Sequence, residues 1–271
     1  MDIIFHGPLW TNEGITKAAR HTMWCISKYH NVMATSFPPY KLSKFIEHNK
    51  CFKYETNDKH ILFAYGWTNK LHEHIDNKNI IAQTVLEGTK FPIKWIESLN
   101  KDNILQVWCP SEYVKQNLIN NGCTKDIKVL PHGVTNIYKS KKIDRKKVLM
   151  KCFNLNDIMY NDIKDKFIFF GMGNIYGLTN KDRKGFDILL KAFENEFGNN
   201  DDVVLLIKTS LIYNPALNIS QYLGQFVNNA PHNIFATTNN VDEEDLPDLY
   251  NSVDCAVFPT RAEGFGMCQM E

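Results

Sequence analysis

The sequence predicts an α/β protein built from two consecutive doubly wound units, each a mostly parallel sheet covered by helices. Three observations carry this expectation. Short apolar runs alternate with helical periodicity through the first half, the pattern of strands joined by crossover helices. After Pro131-His132-Gly133 the chain turns polar and Lys-rich. The alternation then restarts at FIFFGMGN, a buried-strand run that ends in glycine. A chain of 271 residues is long enough for two compact domains with a substantial core. The expected division is 1–138 for the first domain and 139–271 for the second.

In chain order, DIIFHG reads as a strand and ITKAARHTMWCISKYH as a helix. VMATSF, LSKFIEHN, HILFAYGW and NIIAQTVLEG continue the alternation, followed by the strand LQVWCPS. Ser111, with Glu112 and Val114 after it, starts a helix that Gly122 stops, and IKVLPHG closes the unit. RKKVLMKCFNL is a short helix pattern in the connection. Beyond FIFFGMGN come the helix GFDILLKAFENEFG, the strand VVLLIKTS, a helix near ISQYLGQFVNNA, the strand NIFATTN and the helix EEDLPDLYNSV. CAVF is a short strand, PTRAEGFG a breaker-rich loop, and MCQME opens another helix.

That last loop is the most informative stretch. Glu263 and Glu271 are separated by seven residues around Gly264-Phe265-Gly266, where a strand gives way to a helix. Open α/β sheets bind ligands at the carboxyl ends of their strands, and the free N–H groups of a helix start favour anions. Glycine lets the backbone approach a phosphate or sugar closely. A carboxylate accepts two hydrogen bonds in one plane and so suits adjacent sugar hydroxyls. The blander alternative is that Glu263 caps the helix and Glu271 is solvated.

The pattern Pro259, Glu263-Gly264-Phe265-Gly266, Glu271 resembles the donor-site signature of retaining nucleotide-sugar glycosyltransferases of the GT-B fold, glycosyltransferase family 4. Upstream, Gly7 to Gly14 resembles that family's first glycine loop, WCPSEYVKQNLINNGCTKDIKVLPHGV the end of its first domain, and FIFFGMGN through DRKGFDILLKAF the start of its second. The resemblance implies a GT-B architecture of two Rossmann-like domains with a cleft between them. It implies further strands and helices after Glu271, so the second domain is expected to be a fragment or a shortened form. The implied activity is transfer of a hexose from a nucleoside-diphosphate sugar to an acceptor hydroxyl with retention of configuration. Alternatives are a non-catalytic nucleotide-sugar-binding or scaffold protein, or a GT-B epimerase or phosphorylase.

By the same resemblance Lys184 contacts the donor phosphates. Arg183 stands in for an arginine that the family carries a few residues earlier and that Asn174 to Asn180 lacks. Cations at the head of a helix oppose its dipole unless an anion binds there. Lys208 ends a buried strand and reads either as a second donor-binding cation or as the residue at which the chain surfaces. Glu263 would hold the donor sugar, the Gly264, Phe265 and Gly266 backbone the phosphates, Glu271 the ribose, and Gly14 would come close to the donor. Glu87, Pro92 and Trp95 match a Glu-x-x-x-x-Pro-x-x-Trp pattern of one subgroup, which makes Glu87 an acceptor-orienting or proton-accepting residue. Catalysis would therefore fall to Glu263, Lys184 and Glu87. Tyr65, Trp67 and Trp95 are either acceptor-stacking rings or core, and His132 reads as structural.

Composition narrows the field. Lys and Arg number 31 against 30 Asp and Glu, a formal net charge of +1, and no concentrated basic field marks a nucleic-acid surface. KSKKIDRKK reads as a solvated linker or helix face, with peripheral contact to anionic lipid as the alternative. The sequence contains no Asp-x-Asp, the motif by which metal-dependent transferases hold a divalent ion, so metal independence and no cofactor beyond the donor substrate are expected. Seven cysteines without a Cys-x-x-Cys pair imply neither zinc nor a disulfide framework. The N-terminus runs straight into a strand and no apolar run is long enough to span a bilayer, so a cytoplasmic location is expected. Expected partners are the nucleotide sugar and a glycan, lipid-linked or protein acceptor.

Overall fold

The computed structural model describes residues 2–9, 14–36, 60–65, 79–175, 182–198, 200–210, 215–227 and 233–271. LSKFIEHN, Trp67 and most of Asn174 to Asn180 lie outside them. The chain divides into two compact units, Met1–Val134 with Glu263–Met267, and Thr135–Ala262 with Cys268–Glu271. It therefore leaves the second unit after Ala262, contributes five residues to the first, and returns.

The described strands of the first unit are β1 (Asp2–Gly7), β2 (Asn31–Ser36), β3 (His60–Tyr65), β4 (Asn79–Gln83), β5 (Ile104–Cys109) and β6 (Ile127–Val129). They form one parallel sheet in the order β2-β1-β3-β4-β5-β6. Its described helices are α1 (Gly14–Ser27), α2 (Ile93–Leu99) and α3 (Glu112–Asn120). The two faces of the sheet follow the alternation within β1. Ile3 and Phe5 pack with Ala18, Ala19 and Met23 of α1, whereas Ile4 packs with Ile96 and Leu99 of α2 and Val114 and Leu118 of α3.

The second unit begins with α4 (Arg145–Phe153) and α5 (Asp157–Ile163) and continues through β7 (Phe167–Met172), α6 (Phe186–Phe197), β8 (Val203–Lys208), α7 (Ile219–Leu223), β9 (Ile234–Thr237), α8 (Leu246–Asn251) and β10 (Cys255–Ala256). Its parallel sheet has the order β10-β7-β8-β9. β8 is buried on both sides, as a central parallel strand must be. Val203, Leu205 and Ile207 meet Leu189, Leu190 and Phe193 of α6, while Val204 and Leu206 meet Leu149 of α4 and Leu249 of α8. After α9 (Met267–Met270) the chain reaches Glu271.

The α/β fold with two parallel sheets agrees with the expectation from the alternation, while several local features depart from it. The sequence reading assigns no element to FPIKW, whereas α2 starts directly after Pro92 and buries Ile96 and Leu99, a stretch too short to show a period. α5 was not anticipated. Asn154 ends α4 with φ 54°, and the Asn156 side chain then caps α5 by accepting from Met159 N at 2.9 Å. The ladder of CAVF covers only two residues, extended by Val257 N donating to Phe170 O at 2.8 Å. The Lys-rich connection is largely exposed and forms ion pairs within its own unit. Lys141 pairs with Asp248, Arg145 with Asp254 (2.7 Å), Lys146 with Asp157 (2.6 Å) and Lys151 with Asp245 (2.6 Å). Such exposed pairs contribute about 0–1 kcal/mol each.

Candidate functional site

In a parallel sheet every carboxyl end faces the same edge, so residues far apart in sequence gather there. In the second unit the strand order reverses at β7, with β8 on one side and β10 on the other, the place where open α/β sheets take ligands. The loops after β7 and β10 meet at this point. Arg261 N donates to Arg183 O at 2.9 Å, and Arg183 Nη1 donates to Ala262 O at 3.0 Å. The Arg261 guanidinium grips both Asp187 oxygens at 2.7 Å and also donates to Asp182 O at 2.6 Å. Gly185, with φ 74°, caps α6. A Cβ there would be driven into the Pro259 carbonyl, so only glycine allows the two loops to approach this closely.

The sequence-predicted cations lie on this edge. The half-buried Lys184 runs its aliphatic stem across Gly173 at the end of β7, where a Cβ on the glycine would lie 2.9 Å from Lys184 Cγ. Lys208 ends β8 in register with Met172, and burial lowers its amine below the ordinary lysine range. Behind the turn, Asp182 is 4% exposed and accepts from Phe186 N at 3.4 Å. Burial raises its carboxyl, whereas the Arg261 hydrogen bond holds that of Asp187 below the ordinary carboxylate range. Glu271 accepts from the Tyr250 hydroxyl at 3.3 Å. Burial is the main cause of the raised phenols of Tyr250 and Tyr138.

A second constellation lies wholly within the first unit. Gly14, Glu87, Ser111 and His132 follow β1, β4, β5 and β6, all on the carboxyl edge. The segment Glu263–Met267 is laid against this edge. The Ser111 hydroxyl donates to Gly264 O at 2.7 Å while accepting from Val114 N at 3.3 Å as the N-cap of α3. The His132 ring meets Phe265 edge-on at 5.1 Å. A Cβ on Gly264 would lie 2.5 Å from Val85 Cγ1 and 3.3 Å from Leu86 O, and one on Gly14 would be 3.7 Å from Met267 Cβ. Gly266 is buried at φ 81°. Glu87 follows Leu86 and is half-buried, like Glu263. Trp95 is half-buried and packs against the core cluster. The side chain of Tyr65 lies outside the described residues.

Sequence reasoning missed Arg261, Asp187 and the second bond of Ser111. Asp187 is 74 residues from Arg261, and Ser111 is 153 residues from Gly264. No local pattern encodes either pairing. Among the described residues no group of three or more His, Cys, Asp or Glu is arranged to hold a metal ion, and no helix is long and apolar enough to cross a membrane.

Neither a family model nor a curated protein matches the chain by sequence. The fold, however, has solved counterparts, and it is that of the GT-B glycosyltransferases. A glycosyltransferase from Rickettsia africae aligns over 96% of this chain and 73% of its own, with a TM-score of 0.62 at 15% identity. The E. coli trehalose-6-phosphate protein bound with UDP-2-fluoro glucose aligns over 97% of this chain and 79% of its own (TM-score 0.58, 9% identity). A UDP-forming trehalose-phosphate synthase from Burkholderia xenovorans aligns over 95% and 78% (TM-score 0.56, 9% identity).

Proposed function

We propose that this chain is a retaining glycosyltransferase of the family 4 type, moving a hexose from a nucleoside-diphosphate sugar to an acceptor hydroxyl. The observation that carries this reading is the pair of interlocked loops at the β7/β10 switch point. They present Arg183 and Lys184 at the start of α6, on the edge where this fold takes its ligands. Similarity to GT-B proteins, one of them bound with UDP-2-fluoro glucose, supports the same reading.

In the proposed reaction the bond between the sugar C1 and the diphosphate oxygen breaks first. Lys184, Arg183, Lys208 and the Gly264 to Gly266 amides stabilise the charge that builds on the leaving oxygen. The acceptor oxygen then bonds to C1 from the same face, and its proton passes to the Glu87 carboxylate. Glu263 holds the donor sugar, Glu271 the ribose, and Gly14 leaves room for close backbone approach. No cofactor beyond the donor is invoked. The acceptor belongs to a glycan, a lipid-linked carrier or a protein, in a reducing, cytoplasmic setting.

The test is a screen of UDP-, GDP- and ADP-sugars for release of nucleoside diphosphate, run with the wild-type chain and Lys184→Ala. The variant is expected to bind the diphosphate more weakly by about 1.5–3 kcal/mol, the range for a hydrogen bond to a charged group. Binding without turnover of any donor would favour the non-catalytic alternative, and unchanged affinity in Lys184→Ala would remove that residue from the site.

A further inference from the structure

We propose that Arg261 is a positioning residue for the diphosphate end of the donor: by holding the Asp187 carboxylate in a bidentate pair, it neutralises the one acidic side chain in the first turn of α6, so that no uncompensated carboxylate stands beside a diphosphate held by Lys184 and Arg183. The inference rests on the reading above that a nucleoside diphosphate binds at this edge.

Asp187 is the second residue of α6 and the acidic residue of its first turn. A carboxylate there interacts favourably with the helix dipole, which makes it a competitor for any anionic ligand at the same helix end. Its side chain is only 9% exposed, so water screens it poorly. Both of its oxygens are taken by Arg261, at 2.7 Å each. The fork geometry of a guanidinium fits a carboxylate in this way, and the pair carries no net charge.

Arg261 also brackets the proposed phosphate-binding turn. Its Nη1 donates to Asp182 O and its backbone N–H to Arg183 O, so Lys184 lies between the groups that Arg261 holds. With its guanidinium committed to Asp187 and Asp182, Arg261 acts through its neighbours and not as a phosphate ligand.

The sign of the effect separates this role from that of an ordinary structural brace. UDP, GDP and ADP, each with its nucleoside, would be titrated calorimetrically into the wild type, Asp187→Asn, Arg261→Lys, Arg261→Met and the double variant Arg261→Met/Asp187→Asn. For the diphosphate that the wild type binds, Arg261→Met should weaken binding about tenfold or more, because an uncompensated carboxylate then faces the ligand. The nucleoside should bind all five proteins alike. Arg261→Lys, which keeps the charge, and the double variant, which removes both charges, should stay near the wild-type affinity. Asp187→Asn should bind the diphosphate as tightly as the wild type or more tightly.

A double variant as weak as Arg261→Met, or weakened binding by Asp187→Asn, would overturn the proposal and leave the pair as a brace. If Arg261→Met does not fold, the sign of the Asp187→Asn change still decides. A wild-type chain that binds no diphosphate more tightly than its nucleoside would remove the functional reading itself and this inference with it. Normal wild-type binding with a weakened Asp187→Asn would remove only the inference.

Discussion

His132 shows how one side chain can report on its surroundings. It is 8% exposed and meets Phe265 edge-on. Burial pushes its imidazole down from 6.5 to about 4. The unfolded chain therefore takes up a proton as the pH falls below 6.5, whereas the folded chain resists until about pH 4. Its contribution to stability is complete above pH 6.5 and is lost as the pH falls toward 4. Across that window the loss is on the order of 3 kcal/mol. Urea midpoints at pH 7 and pH 4.5 should fall further in the wild type than in His132→Phe. Equal falls would show that His132 does not titrate as a buried group. The sequence reading of His132 as structural rested on the linker-like Leu130-Pro131-His132-Gly133-Val134 run. Its contact with Phe265 was not legible, because 133 residues separate them. Glu263, Gly264, Phe265 and Gly266 stand out in the sequence as candidates because their chemistry is concentrated in four consecutive positions. Arg261 stands two residues earlier and was overlooked, since nothing local distinguishes a paired arginine from a solvated one.

Loops meeting at a sheet edge are the unit of function at the next scale. The turn before α6 and the loop after β10 are held together by Arg261, Arg183 and the bare Cα of Gly185. Gly185→Ala is expected to cost at least about 1–2 kcal/mol for a left-handed backbone with a Cβ, and more because that Cβ collides with the Pro259 carbonyl. The variant should show a lower urea midpoint and weaker nucleoside-diphosphate binding together. An unchanged midpoint would mean that the loops tolerate a wider separation than the structure shows. Most described elements were legible from periodicity and turn residues. Glycine marked a helix end at Gly122, where φ is 94°. The two helices that escaped, α2 and α5, are seven residues each; α2 buries Ile96, Ser98 and Leu99, and α5 only Ile163. Tertiary packing and caps stabilise helices of that length, and sequence periodicity hardly records them. Ser111 illustrates a partial reading. Its role as a helix start was visible in the residues that follow it, whereas its bond to Gly264 O depends on a chain segment that arrives from the other unit's sequence.

For the whole molecule, the proposed chemistry relies on fixed cations and backbone amides in place of a divalent ion. Transfer activity is therefore expected to persist in EDTA, measured as nucleoside-diphosphate release from the donor that the screen selects. Loss of activity on chelation, with recovery on addition of manganese or magnesium, would overturn the metal-free mechanism. The sequence by itself determined the fold class, since alternating apolar runs and helical faces are local consequences of burial on a parallel sheet. It also determined the residue types available to bind a phosphate or a sugar, because glycine, lysine and glutamate carry that capacity wherever they stand. Only the tertiary structure decided which of these residues share an edge. β7 became the switch strand by pairing with β8 and with β10, whose sequence lies more than 80 residues downstream. That pairing, driven by burial of Phe170, Val204 and Leu206, brings Arg261 to Asp187. It assigns Glu263–Met267 to one unit and the residues on either side to the other. Hydrophobic burial is non-directional, so a sequence states how much apolar surface must be covered. The partners that cover it, and the polar groups carried along with them, are fixed only when the chain closes its sheets.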